Sequence, residues 1–349
     1  MTHTPGKRTR SRFSGLLARL ALLAASLVAC FLFLEIVFRV IVPSNPPGTT
    51  YGKAVAKSTF GFRDRELEVP KPEGTYRIVM LGDSFAWGVG LDVEQALPEV
   101  LETMLAASVT SGTIEVVNAA EPGFNTVEEL NLLSERRAAL EPDMVLLIYN
   151  LNDIEYLPEL SERTYENEPT PVVELDPGED VTKYSRNAGF RGFVLALERH
   201  SMLVRFMVPR MGALLRRLGL IESVEFSWVE KIYQGFSDDN PGWLESKRAL
   251  AEIAGLCRES GCRFVVAVYP LFADLESYKG RGAHQKVLEF CREQGIEAVD
   301  LLPIFENTRT RSHWINFMDS HPNAAAHRAV AERLLPVVRE RLPDRYSAP

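Results

Sequence analysis

Apolar and polar positions divide this chain into three stretches of different rhythm. Between residues 20 and 34 no side chain is charged, and apolar character continues through Ile36, Val37, Phe38, Val40 and Val42 until Pro43 ends it. As a helix rising about 1.5 Å per residue, 20–42 reaches the thickness of a hydrocarbon core. After residue 72 a second rhythm begins, in which short apolar runs alternate with segments of helical spacing. The runs lie at 77–81 (RIVML), 114–118, 144–149 (MVLLIY), 264–269 (FVVAVY) and 298–301; the helical segments lie at 94–107, 126–140, 243–260, 283–294 and 322–342. Near-continuous β-branched runs between helices predict a parallel sheet covered on both faces. Five strands fit a flavodoxin-like order, with ligand sites at the C-terminal strand ends.

The third stretch, about 155–241, interrupts that alternation. Its first part (161–180) is polar and contains proline. Its second part (190–220) sets apolar residues at helical spacing among Arg191, Arg199, Arg205, Arg210, Arg216 and Arg217. Two readings stay open for it, a solvated basic face on a lid helix and a basic amphipathic helix lying on an anionic membrane.

Composition sharpens the first stretch. A chain of 349 residues, 46% hydrophobic and 25% charged, is an ordinary globular protein of one large or two modest domains plus an apolar segment. Lys7, Arg8, Arg10, Arg12 and Arg19 precede the span and no acid does, which places the N-terminus in the cytoplasm and the rest outside. The expected layout is a cytoplasmic tail (1–15), a signal anchor (16–42), a linker (43–72) and an α/β domain (73–349) carrying the insertion. That domain then stands on the outer or periplasmic side of the cytoplasmic membrane. Glu35 and Arg39 inside the span are spaced to pair on one helix face. A cleaved signal peptide is the rival. Leu27-Val28-Ala29-Cys30 resembles a lipoprotein-processing box, but the apolar run continues past the cysteine.

The net charge is −8; the first 34 residues hold five basic groups and no acid, so the remainder carries −13. Such a domain repels nucleic acid. Outside the span the cysteines are Cys257, Cys262 and Cys291, with no paired spacing of the zinc-site kind. Cys257 and Cys262 flank a helix-to-strand turn, as free thiols or as a bridge.

The candidate chemistry sits at the ends of these elements. Gly82-Asp83-Ser84 directly follows the first predicted strand, where a sharply turned backbone exposes a serine. A G-x-S-x-G elbow is nearly matched by Gly82 to Ala86, but that scaffold needs earlier strands for its oxyanion loop. The base should be a histidine that the fold brings to Ser84. Of six histidines, His321 opens the last predicted helix with Asp319 two positions before it and Pro322 in its first turn. An aspartate there fixes the imidazole tautomer and stabilises the imidazolium. His327 is expected to face solvent or pack along that helix. Asp83 and Asp153 read as turn-stabilising residues.

Taken in order, Gly82-Asp83-Ser84, Pro122-Gly123, Asn150-Leu151-Asn152-Asp153 and Asp319-Ser320-His321-Pro322-Asn323 resemble, block for block, the SGNH (GDSL) hydrolase superfamily. The resemblance covers residues 76 to about 343. It implies a three-layer α/β/α hydrolase domain acting through an acyl-serine, without metal or cofactor. It also implies that Ser84 is the nucleophile and His321 the base. The oxyanion donors would be the Ser84 N–H, the Gly123 N–H and the Asn152 side chain. The family's acid stands three residues before the histidine, where this chain has Met318, so Asp319 is an orienter at a shifted position. The substrate class implied is an acyl ester, with O-acetyl groups on cell-envelope carbohydrate first. The alternatives are an O-acetyltransferase using the same serine and a non-catalytic scaffold. The oligomeric state is not fixed by the sequence.

Overall fold

The computed structural model describes residues 8–41, 49–50, 53–54, 58–155, 201, 203–204, 207, 226–316 and 319–346. The polar stretch 161–180, most of the basic stretch 190–220, and Met318 lie outside them. The chain divides into two compact units, one of residues 1–46 with 174–222 and one of 47–173 with 223–349.

In the smaller unit, α1 (Arg8–Ile41) is a single helix. It contains the one segment among the described residues long and apolar enough to cross a membrane, Ala21–Val40. Leu22, Leu23, Leu27, Phe33, Ile36 and Val40 are all exposed on it. Glu35 is the exception: it is buried and pairs with Arg39 at 2.8 Å.

The larger unit is built on five parallel strands: β1 (Thr75–Gly82), β2 (Thr113–Asn118), β3 (Met144–Asn150), β4 (Arg263–Tyr269) and β5 (Glu297–Asp300). Their order is β2-β1-β3-β4-β5, the flavodoxin-like order expected from the sequence. Every residue of β1 and β3 is buried, which is why these runs are apolar throughout rather than alternating. Register partners Arg77 and Glu115 form an ion pair inside the protein. The same guanidinium donates to the Leu140 and Glu68 carbonyls at 2.9 Å each, so its charge is not stranded.

Helices cover both faces. After the single turn of α2 (Ser84–Trp87), α3 (Leu97–Ala106) packs on the last long helix, α9 (Ala324–Arg339). On the other side α4 (Thr126–Leu140) packs on α6 (Pro241–Ser260). Caps set the boundaries. Asn125 accepts from Val127 and Glu128 while Glu128 accepts from the Asn125 N–H, a reciprocal capping box. Asn240 caps α6 and leaves Pro241 in the first turn. Past Gly261, Cys262 N–H returns to the Cys257 carbonyl at 2.9 Å. Cys257, Cys262 and Cys291 are buried free thiols.

Two stretches without a clear sequence period prove to be packed. Phe62 and Leu67, ahead of the first strand, belong to the core, and so do Ile232 and Phe236 in and just after α5 (Phe226–Gln234). The remaining helices are α7 (Arg281–Glu293) and the short α8 (Leu302–Phe305). A hairpin of β6 (Trp314–Asn316) and β7 (Asp319–Pro322) then leads into α9.

Candidate active site

Gly82 ends β1 with φ +152°, and a Cβ there would lie 2.7 Å from that of Ala86 and 3.2 Å from that of Ile148. Only glycine lets the chain turn this tightly out of the sheet. Asp83 follows as the cap of α2, its Oδ1 accepting the Phe85 N–H at 2.9 Å. Ser84 is therefore the first residue of α2, at the C-terminal end of a central strand.

The expected start of the last helix at Pro322 is corrected. Asn323 is the cap: its Oδ1 accepts the Ala326 N–H at 3.0 Å, and its Nδ2 donates to the Ser312 and Trp314 carbonyls at 2.8 and 3.2 Å. Those bonds hold Pro322 opposite Trp314, so His321 stands on β7 rather than on the helix.

From that strand His321 reaches the serine. Its Nε2 lies 3.0 Å from Ser84 Oγ, and its Nδ1 lies 2.6 Å from Asp319 Oδ1. The same Asp319 oxygen accepts the His321 backbone N–H at 3.0 Å, which fixes the two-residue spacing. Asp319 N–H in turn donates to Asn316 Oδ1 at 3.1 Å. The Phe85 ring meets the imidazole edge-to-face at 5.8 Å. The other described histidines are engaged elsewhere. His284 bonds Asp300 and Tyr278, and His313 bonds Thr308. His327 is buried on α9, packed along the helix. Burial, then the nearby Arg63 charge, drives its pKa down to about 3, so it is neutral.

Gly123 lies in the loop after β2 with φ +85°, and a Cβ there would meet nothing within 4 Å. That loop is tied to the Gly82–Ser84 turn by the Glu121 N–H, which donates to the Gly82 carbonyl at 3.0 Å. Asn152 sits on the turn Leu151–Ile154 that follows β3. Its neighbour Asn150 donates through Nδ2 to Asp83 Oδ2 at 3.2 Å. The structure thus brings Ser84, His321 and Asp319 into one hydrogen-bonded line and sets Gly123 and Asn152 on the flanking loops.

Beneath this line lie Glu129 and Arg63, which the sequence did not single out, and Asp83 and Asp153, expected only to stabilise turns. Glu129, on the first turn of α4, is buried with neither carboxylate oxygen hydrogen-bonded. Burial and then the Asp83 charge push its pKa well up. Burial and then Glu129 do the same to Asp153, while Asp83 is raised by burial against its hydrogen bonds. Close acids in a dry site share protons rather than all ionise. On the other side the buried Arg63 guanidinium donates to the Trp87, Gly88 and Leu91 carbonyls, closing α2 from below.

A hydroxyl 3.0 Å from an imidazole, itself fixed by a carboxylate, is the arrangement that lets serine attack a carbonyl carbon. Among solved structures the chain is similar to TesA, at 14% identity and a TM-score of 0.44 over 76% of this chain and 99% of that one. The lipase/acylhydrolase from Enterococcus faecalis gives 13% and 0.43, over 77% and 97%. Axe2, an acetylxylan esterase from Geobacillus stearothermophilus, gives 12% and 0.41, over 75% and 93%. No curated protein matches the sequence. The model of the GDSL-like lipase/acylhydrolase family matches residues 80–329, from the first strand through the nucleophile turn and both loops to α9, and the chain belongs to that family of ester-hydrolysing enzymes.

Proposed function

We propose that this protein is a membrane-anchored serine esterase that removes short acyl groups, O-acetyl first, from carbohydrate at the outer face of the cytoplasmic membrane. The observation that carries the reading is the continuous line Ser84 Oγ, His321 Nε2, His321 Nδ1, Asp319 Oδ1. In the first step Ser84 Oγ bonds to the acyl carbon as its proton passes to His321 Nε2. Asp319 holds the Nδ1–H and offsets the imidazolium charge. The oxyanion is met by the N–H groups of Ser84 and Gly123 and by the Asn152 side chain, each such donor being worth about 3–4 kcal/mol. Collapse expels the alcohol, which takes the proton from His321, and leaves an acyl-serine. Water, deprotonated by the same nitrogen, then releases the acid and restores Ser84.

The location rests on α1: an uncharged stretch preceded by five basic residues orients the catalytic unit outward. The small acyl group and the carbohydrate rest on the resemblance to exported acyl-editing enzymes. The test is hydrolysis of p-nitrophenyl esters of rising chain length, followed by acetate release from acetylated polysaccharide. Acetate should be the preferred acyl group and free acid the product. A preference for long chains, or acyl transfer to sugar without acid release, would overturn the substrate or the hydrolytic reading respectively.

A further inference from the structure

Buried hydrogen-bonding atoms come in donor–acceptor pairs, and beneath Ser84 they do not. Asn150 Oδ1, Asn152 Oδ1, Asp153 Oδ1 and both carboxylate oxygens of Glu129 are buried without a partner. All of them are acceptors. The nearby donors are already committed. Asn150 Nδ2 donates to Asp83 Oδ2 at 3.2 Å, and the Asn152 side chain bonds the same carboxylate. Tyr149 and Ser246 bond through their hydroxyls at 2.9 Å, Ser246 and Thr126 at 3.2 Å, and Thr126 donates to Asp153 Oδ2 at 3.4 Å. These atoms form one group: the Asp83 charge acts on Glu129, and that of Glu129 on Asp153. What the group lacks is hydrogen. A proton on one carboxyl turns an orphaned acceptor into a donor and removes a charge at the same time. Asp83 accepts from the Phe85 N–H and the two amides, and Asp153 from Thr126. Glu129 accepts from nothing, so it is the carboxyl least able to hold a charge. Burial and the Asp83 charge push its pKa well up, in agreement. An ionised Glu129 would also set negative charge beneath the oxyanion that Asn152 is proposed to stabilise.

We propose that Glu129 is a positioning residue for ester hydrolysis: it stays protonated and donates its O–H into the Asp83–Asn152 pair, so that Asn152 keeps its remaining N–H aimed at the oxyanion. The proposal rests on the serine-esterase reading above, so its test has an arm that needs no turnover. Infrared difference spectra of the full-length protein at neutral pH, wild type minus Glu129→Gln, should show the C=O stretch of a protonated carboxylic acid. With p-nitrophenyl acetate, Glu129→Leu should lower kcat about tenfold or more with KM nearly unchanged, since the oxyanion exists only in the transition state. Glu129→Gln keeps a donor without a charge and should recover kcat to within about threefold of wild type. In an Asn152→Ala background Glu129→Leu should cost almost nothing further, because its effect runs through that side chain. A purely structural role predicts the same loss in both backgrounds. Such additivity would overturn the proposal, and so would a Glu129→Gln loss as large as that of Glu129→Leu. The infrared arm does not depend on whether Glu129→Leu folds. Hydrolysis by the wild type with no difference band would leave the esterase standing and overturn the proton on Glu129. No hydrolysis by the wild type would overturn the esterase reading, and the positioning role with it.

Discussion

The residues proposed to touch the reacting atoms and the residues that support them differ in how legible they were. Ser84, Gly123, Asn152 and His321 each stand in a short block at a strand end, where little but chemistry explains glycine, asparagine or histidine. Asp319 was legible only as an acid near a histidine; the bond that makes it the partner, 2.6 Å to Nδ1, comes from strand geometry. Glu129 was hidden. It follows Glu128 in the first turn of a helix, where acids are favoured anyway, so nothing in the sequence separates the buried carboxylate from the capping one. His327 was expected to face solvent or pack along the helix; it is buried, and that burial has a measurable consequence. Its pKa falls from the ordinary 6.5 to about 3 in the folded protein. Below pH 6.5 the unfolded chain therefore takes up a proton that the folded one refuses. Stability from this group is complete above pH 6.5 and declines as pH falls, by up to about 1.4 kcal/mol per pH unit. Denaturant unfolding at pH 7.5 and 5 should show His327→Leu losing about 2 kcal/mol less than the wild type over that interval. A pH-independent difference would mean that His327 is charged in the fold. The raised acids, Asp64 at about 6 among them, tilt the curve the other way, so only the difference between the two proteins isolates the histidine.

Long elements were read correctly in type because their signals are redundant: seven or eight consecutive buried positions, or three to five helical turns with a cap. Boundaries moved where caps decided them. Trp243 gave way to Pro241 because Asn240 accepts the first N–H groups, and Pro322 gave way to Ala324 because of Asn323. The missed pieces are short. α2 is one turn, and β6 and β7 have three and four residues, too few for a period to register. Those short pieces carry the hydrogen-bonded line of Ser84, His321 and Asp319, so their anchoring can be tested. Asn323→Ala removes the cap of α9 and two bonds, one to Ser312 before β6 and one to Trp314 at its start. It should lower stability by about 1 kcal/mol. It should also reduce kcat/KM by more than stability explains, since a displacement near 1 Å costs about a hundredfold. Wild-type kcat/KM in a destabilised Asn323→Ala protein would show that β7 holds His321 unaided.

For the molecule as a whole, the sequence divided apolar N-terminal helix, α/β domain and insertion, and five strands alternating with helices pointed to the flavodoxin-like sheet order. What it did not reveal is how the insertion is apportioned. Its last turns, α5 onward, pack into the core of the larger unit through Ile232 and Phe236, whereas the division between the two units falls inside it, after residue 222. Hydrophobic spacing says that a face is buried, not against what. All of this serves one chemical claim, that Ser84 is made nucleophilic by His321 held by Asp319. The most direct measurement is the rate at which a fluorophosphonate probe labels the full-length protein, with the site read by mass spectrometry. One adduct on Ser84 is predicted, absent in Ser84→Ala and nearly abolished in His321→Ala. The slowing in Asp319→Asn should be roughly two orders of magnitude smaller than in His321→Ala, because the imidazole remains but is poorly held. Undiminished labelling of Ser84→Ala, or an unchanged rate in His321→Ala, would contradict the account.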